Sequence, residues 1–253
     1  MPERVRGFLS RALRQAAPKK SSSIHGIDHF PTPQAKNKRA LVALSPEAWK
    51  QACEQHPNIK YFNYTGLSHE IVKALNENGY LVDIVDHSRE HSPQAKYDIF
   101  VGHGGHCRTI IDSLPPRTPI LQYVSGAHWA AFNSQSAARY RRFSEVHGYP
   151  FPGQFTRSMT GITEGEEYLS QKATYMFTIK CPRMVATYGD LASKFVFTGQ
   201  GAYEDAVLGG PAAKKHNEPT KFLYLAGTGG NIQKGLDLFI DAFSSMPTYH
   251  LYI

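Results

Sequence analysis

The sequence predicts an α/β protein built on an open, doubly wound parallel sheet, and three observations carry that prediction. Short runs of branched and aromatic residues at 39–44, 80–85, 97–101 and 118–124 have the length of strands and are apolar enough to be buried on both faces. They alternate with helical periodicity, as where Ile71, Val72 and Leu75 lead to a helix-ending Gly79. The connections are short, so right-handed crossovers on alternate faces are the simplest winding.

Residues 1–37 stand apart from this pattern. Val5, Phe8, Leu9, Ala12, Leu13 and Ala16 share one helical face, with Arg6, Arg11 and Arg14 toward the other. Such a basic amphipathic segment, within residues 4–20, reads as an attachment to an anionic membrane surface or, equally, as a helix packed on the body or a loose terminus. An organellar transit peptide is a third reading, although nothing resembles a cleavage site. Residues 20–37, rich in Ser, Pro and polar side chains, read as a linker.

The formal net charge is +7, and it is concentrated in this arm. Nine Lys or Arg face only Glu3 and Asp28 through Arg39, and the remaining 19 basic and 19 acidic residues cancel. A neutral body with a basic arm argues against a broad nucleic-acid-binding face. Hydrophobic residues make up 41% of the chain and aromatics 12%, which is globular, and no apolar run approaches the roughly 18 residues of a membrane helix. Cys53, Cys107 and Cys181 are odd in number and far apart. They are expected to be reduced packing residues in a cytoplasmic protein, peripheral at the inner face of the membrane if the arm binds there.

The body is expected to occupy residues 38–200. After the first strand at 39–44, the polar stretch 45–61 is longer than a usual βα connection and reads as an insertion. Asn63, Tyr64, Thr65, Gly66, Leu67 and Ser68 then form a loop that opens a helix, followed by the strand at 80–85. The strand at 97–101 runs into Gly102, His103, Gly104, Gly105, His106 and Cys107. Three potential metal ligands in five positions lack a further ligand and the paired spacing of a zinc site, so no metal is expected. The strand at 118–124 ends in Ser125, Gly126, Ala127, His128 and Trp129. A long polar helix follows, in which Arg139 either belongs to a solvated face or looks toward a substrate. Residues 148–153 read as a loop, and 170–179, 184–188 and 195–198 as strand, helix, strand. Ligands of such sheets bind beyond the carboxyl ends of the strands, where Gly66, His103 and His128 fall.

Residues 201–219 are small, polar and proline-bearing, and read as a linker to a second unit at 220–253. There the apolar run 222–226 stops at Gly227, Thr228, Gly229, Gly230 and Asn231, with Lys234 close behind. Leu236, Phe239, Ile240 and Phe243 then recur at helical spacing, with Asp237 and Asp241 on the other face, and a strand begins at Tyr249. Strand, glycine turn, helix and strand make a βαβ unit. The N–H groups near Gly229 and Gly230, the helix start and Lys234 together make a phosphate cradle. Neither the Walker nor the Gly-x-Gly-x-x-Gly spacing is present, so a plain αβ unit with a solvent-facing lysine is the competing reading.

The segment 222–252 resembles the opening of the donor-binding domain of GT-B glycosyltransferases of the family-four type, through Gly227, Lys234, Gly235, Asp237, Leu238, Ala242 and Phe243. Residues 38–200 are similar to the Rossmann-like acceptor-side domain of the same enzymes. The resemblance implies transfer of a sugar, mostly with retention, from a nucleotide-diphosphate sugar to a hydroxyl of a glycan or lipid-linked acceptor, without a metal or other cofactor. It implies donor-phosphate contacts from Lys234 and substrate contacts from Gly66, His103 and His128. Thr228 stands where many members carry an arginine, and Thr65 where they carry the first glycine of a pair. No catalytic base is singled out. Family members continue with further βα units and a Glu-x7-Glu motif, so a chain ending at Ile253 is expected to be a truncated form, inactive alone. A nucleotide-sugar 2-epimerase of the same architecture and a non-catalytic binding module are the alternatives.

Overall fold

Strand β2 (Lys38–Leu44) lies at the centre of the protein, with Ala40 to Leu44 all buried. The structure, a computed structural model, describes residues 23–32, 35–55, 64–148, 162–179, 181–198, 221–224, 232 and 234–252. The flanking strands are β1 (Ile24–Ile27), β3 (Tyr80–Asp86), β4 (Ile99–Gly102), β5 (Ile120–Tyr123), β6 (Tyr175–Ile179) and β7 (Phe195–Thr198). They form one seven-stranded sheet in the order β1-β3-β2-β4-β5-β6-β7, parallel throughout except where β1 pairs with β3. The fold is therefore α/β with a mostly parallel, Rossmann-like sheet.

Alternation along β2 divides the core. Ala40, Val42 and Leu44 join Val82, Ile84, Val72 and Leu75 on one face, and Leu41 and Ala43 join Phe100, Ile110 and Leu169 on the other. The first face is covered by α1 (Pro46–Gln55) and α2 (Tyr64–Glu77), the second by α3 (Arg108–Ser113) and α5 (Ile162–Lys172). Helix α4 (Trp129–His147) follows β5, and α6 (Pro182–Ala186) with a 3-10 turn (Gly189–Lys194) joins β6 to β7. A separate parallel pair, β8 (Lys221–Leu223) and β9 (His250–Tyr252), is joined through α7 (Leu236–Ser244). This is the expected βαβ order.

Several boundaries differ from the sequence reading. The stretch expected as a linker carries β1, which two buried polar side chains hold in place. The Asn76 carboxamide accepts from the N–H groups of His29 and Phe30 and donates to the carbonyls of Ile27 and Tyr80, so its bonding capacity is met. Asp83 accepts from the Gly26 N–H at 2.7 Å, the Tyr97 hydroxyl at 2.6 Å and the Arg39 guanidinium at 2.8 Å. No local pattern announces such long-range bonds.

The stretch read as an insertion is largely helix α1. Ser45 caps it by accepting from the Ala48 N–H, Pro46 occupies its first position, and Trp49 is buried in the core. Helix α2 starts at Tyr64, which puts Gly66 inside its first turn, buried. Residues 170–172, expected in a strand, end α5, and Tyr97 precedes β4 rather than opening it. Of the cysteines, Cys107 is buried, Cys181 half-buried and Cys53 exposed, so only the first is a true packing residue.

Among the described residues no helix is long and apolar enough to cross a membrane. The basic segment at 4–20, residues 149–153 of the expected loop, and Gly229 and Gly230 lie outside those residues.

Burial alone would raise the Asp83 carboxyl, but the bonds from Tyr97, Gly26 and Arg39 outweigh it and hold the group below its ordinary value of 3.8. A lowered folded-state value means that this contribution to stability is complete above pH 3.8 and is lost as pH falls from there through the folded value. Asp83→Asn should therefore destabilise the protein at pH 7 by about 1–3 kcal/mol. Urea denaturation at pH 7 and at pH 3 should show the gap narrowing in acid; an equal gap at both would remove Asp83 as the anchor of β1.

Candidate functional site

The strand order reverses at β2: the chain moves outward to β3, then returns past β2 to β4. Crossovers leaving in opposite directions open a crevice at the carboxyl ends of the strands there. A cavity of about 310 Å³ occupies this region, near the lower end of the roughly 300–1,000 Å³ of small-molecule sites. Its walls are turns that follow three strands around β2: His87 and Ser88 after β3, His103 to His106 after β4, and Val124 to Gly126 after β5. Glu166 of α5, Tyr188, and Gln122 and Tyr123 of β5 complete it.

Helix α5 sets the depth of the cavity. Gly165 packs so closely on the turn after β4 that a methyl group in its place would overlap the Gly105 carbonyl. Its neighbour Glu166 is thereby brought to the cavity wall. Gly104 has φ +79°, a left-handed conformation that favours glycine, so the turn doubles back under α5 instead of extending β4. On the sheet beneath, Gly102 pairs with Gln122, and Phe100 and Leu169 close over the glycine.

His103 is held by its Nδ1–H, which donates to the Tyr123 carbonyl at 3.1 Å. A carbonyl only accepts, so the neutral ring carries its proton on Nδ1 and Nε2 is its basic nitrogen. Its ring centroid lies 5.4 Å from that of His87 and 5.3 Å from that of Tyr123. Cys107 is no nucleophile here: burial pushes its thiol up to about 12, despite the contact of its sulfur with the His103 carbonyl. Among the described residues no three His, Cys, Asp or Glu are grouped to hold a metal ion.

His128 occupies a different position. It caps α4, with Nδ1 accepting from the Ala130 N–H at 3.4 Å and Nε2–H donating to Glu167 at 2.9 Å. Its main-chain N–H donates to the Thr187 hydroxyl, and the Trp129 indole donates to the same Glu167 oxygen. Burial would raise the Glu167 carboxyl, but the bonds from Trp129, Gln171 and His128 prevail and keep it below its ordinary value. His128 reaches the cavity wall through Tyr188, whose ring it meets edge-on at 5.1 Å and whose hydroxyl donates to the Gly126 carbonyl. Of the three residues expected in one mouth, His103 lines the cavity, His128 stands behind its wall, and Gly66 is buried in α2.

In the second unit, Lys234 is exposed and precedes Gly235, the left-handed first cap of α7, with φ +81° and no side-chain capping bond. Asp237, expected on a solvent face, is buried and paired with Arg139 of α4, while Asp241 lies 3.6 Å from His147. Arg139 is thus largely covered and held in an ion pair. Phe239 and Phe243 pack on Tyr224 and Phe222, and Leu238 and Ile240 remain exposed.

Gln122, Glu166 and Tyr188 were not anticipated. A glutamine inside an otherwise apolar strand run was the available signal for the first. The others arrive from elements remote in sequence. Comparisons with models of known protein families, with curated proteins and with solved structures find no match to the chain.

Gly165→Ala should force α5 away from the turn after β4, at a cost of about 1–3 kcal/mol. Denaturant unfolding is the check, and an alanine variant as stable as the wild type would mean that α5 does not rest on this contact.

Proposed function

We propose that this chain handles a sugar, as part of a GT-B-type glycosyltransferase that moves it from a nucleotide-diphosphate donor to a hydroxyl acceptor. The observation that carries the reading is the small cavity over the strand carboxyl ends, walled by glycine turns with His103, Glu166 and Gln122. Carboxylate, imidazole and carboxamide acceptors interleaved with main-chain groups suit a ligand bearing several hydroxyls. His103 and Glu166 are among the groups in the cavity able to take a proton from an attacking hydroxyl.

In the transfer, the bond between the anomeric carbon and the leaving diphosphate breaks as the bond to the acceptor oxygen forms. Negative charge builds on the diphosphate. Lys234 and the N-terminus of α7, which lacks a side-chain cap, are suited to stabilise it electrostatically. Nothing in this scheme assigns His128 to the sugar; it steadies α4 and Tyr188 instead.

A second reading, a sugar-binding module without transfer chemistry, is favoured by one observation. The first turn of α7 is tied by Asp237 to Arg139, which lies three helical turns beyond His128, about 16 Å along the axis of α4. The start of α7, and with it Lys234, is therefore seated along α4 at a distance from His128.

Calorimetric titration of UDP-glucose and GDP-mannose, with an assay for released nucleotide diphosphate, separates the two. Transfer predicts binding of at least one donor, weakened roughly tenfold or more by Lys234→Ala, and, in a chain that also carries the further βα units, lowered turnover in His103→Ala. Donor binding indifferent to Lys234→Ala, or no donor binding, would reject transfer; free-sugar binding without either would support the module.

A further inference from the structure

We infer that residues 4–20 dock, as an amphipathic helix, on an uncovered apolar face of the sheet at β5 to β7, so that the basic arm completes the fold. The inference goes beyond the chemistry of the cavity and does not depend on it.

A parallel sheet has to be covered on both faces, and the strand registers show where the cover ends. Val42, Val101, Leu121 and Tyr175 lie side by side on one face of β2, β4, β5 and β6. Along that row exposure climbs from 0% and 2% through half-buried Leu121 to 55% at Tyr175. In the next rows Phe177 pairs with Val196, which is 50% exposed, and Ile179 is exposed as well. The opposite face stays closed as far as β6, where Met176 is buried.

The winding accounts for the difference. Helices α1 and α2 cover the first face at β2 and β3, and residues 87–98, which lead from β3 to β4, hold no helix. Helices α3, α5 and α6 all contribute to the core on the other face. With every described helix in place, Tyr175, Ile179 and Val196 remain exposed.

The sequence offers one matching surface. Of the longer stretches outside the described residues, 56–63, 149–161 and 199–220 are each interrupted by proline, whereas Val5, Phe8, Leu9, Ala12, Leu13 and Ala16 make a continuous helical stripe. The reach is sufficient. Ile24 of β1 lies level with Ile84 of β3, toward the carboxyl end of the sheet, the end at which Phe177 and Ile179 also lie. In the strand order, β1 stands five spacings from β6, or about 24 Å. Residues 17–23 can span up to ~24 Å, and a helix over residues 5–16 adds ~18 Å. Docked there, the stripe is buried and Arg6, Arg11 and Arg14 face solvent.

The test is photocrosslinking in the full chain. Val196→benzoylphenylalanine should crosslink within residues 4–20 of the same molecule, read by mass spectrometry of the monomer band, and Val146→benzoylphenylalanine, on exposed α4, should not. Leu9→Asp combined with Leu13→Asp should cut that crosslink roughly tenfold and lower the melting temperature by about 4 °C or more. Neither the wild type nor this double variant should float with phosphatidylserine vesicles. The inference is overturned by crosslinks from position 196 only to other segments or to a second copy, or by equal yields from positions 196 and 146. An unchanged melting temperature in the double variant, or flotation of the wild type that the double variant loses, overturns it too. The crosslink from position 196 is made without the aspartates, so it decides even if the double variant fails to fold.

Discussion

Parallel strands must be buried on both faces, and β2 meets that demand completely, with five consecutive residues sealed between two cores. Its neighbours arise by crossovers in opposite directions, one to β3 and one back to β4. Their departures cannot fill the space above the strand ends between them, so the crevice follows from the winding. What varies is how the turns line that crevice. Here the close seat of Gly165 against Gly105 brings α5 onto the turn after β4, beside a space of about 310 Å³.

Buried polar groups in this protein are of two kinds. Asp83, Asn76 and Glu167 collect donors from distant parts of the chain, and each holds together segments that would otherwise separate: β1 on β3, the stretch before β2 on α2, and the start of α4 on α5. Their bonds are complete or nearly so, as expected where a polar group in a low-dielectric core stabilises instead of costing. Gln122 is of the other kind. It is nearly as deeply buried as Asn76, yet its side-chain oxygen has no hydrogen-bond partner among the described residues.

The second unit is attached differently. Two acidic residues on consecutive turns of α7, Asp237 and Asp241, face Arg139 and His147 on α4. These two polar contacts join α7 to α4. The burial of Asp237 makes its pairing with Arg139 the stronger of the two, since exposed pairs contribute little. The same contact sets where the start of α7, and with it Lys234, lies along α4.

The sequence by itself determined the alternation of strand and helix, because a strand buried on both faces must be apolar throughout and its register is written in consecutive residues. It also marked the glycine turn after β4 with His103 and the βαβ order of the second unit, both local in the chain. Helix α1 was legible too, through Ser45 and Pro46, although the polar stretch around them obscured it. The placement of β1 could not be read, since it depends on Asn76 and Asp83, about 50 residues away. The meeting of Gln122, Glu166 and Tyr188 was equally hidden, as was the withdrawal of His128 behind Glu167. Only the tertiary structure decided these, for a physical reason: whether a buried polar group is satisfied depends on which distant donors the winding of the sheet brings within hydrogen-bonding reach.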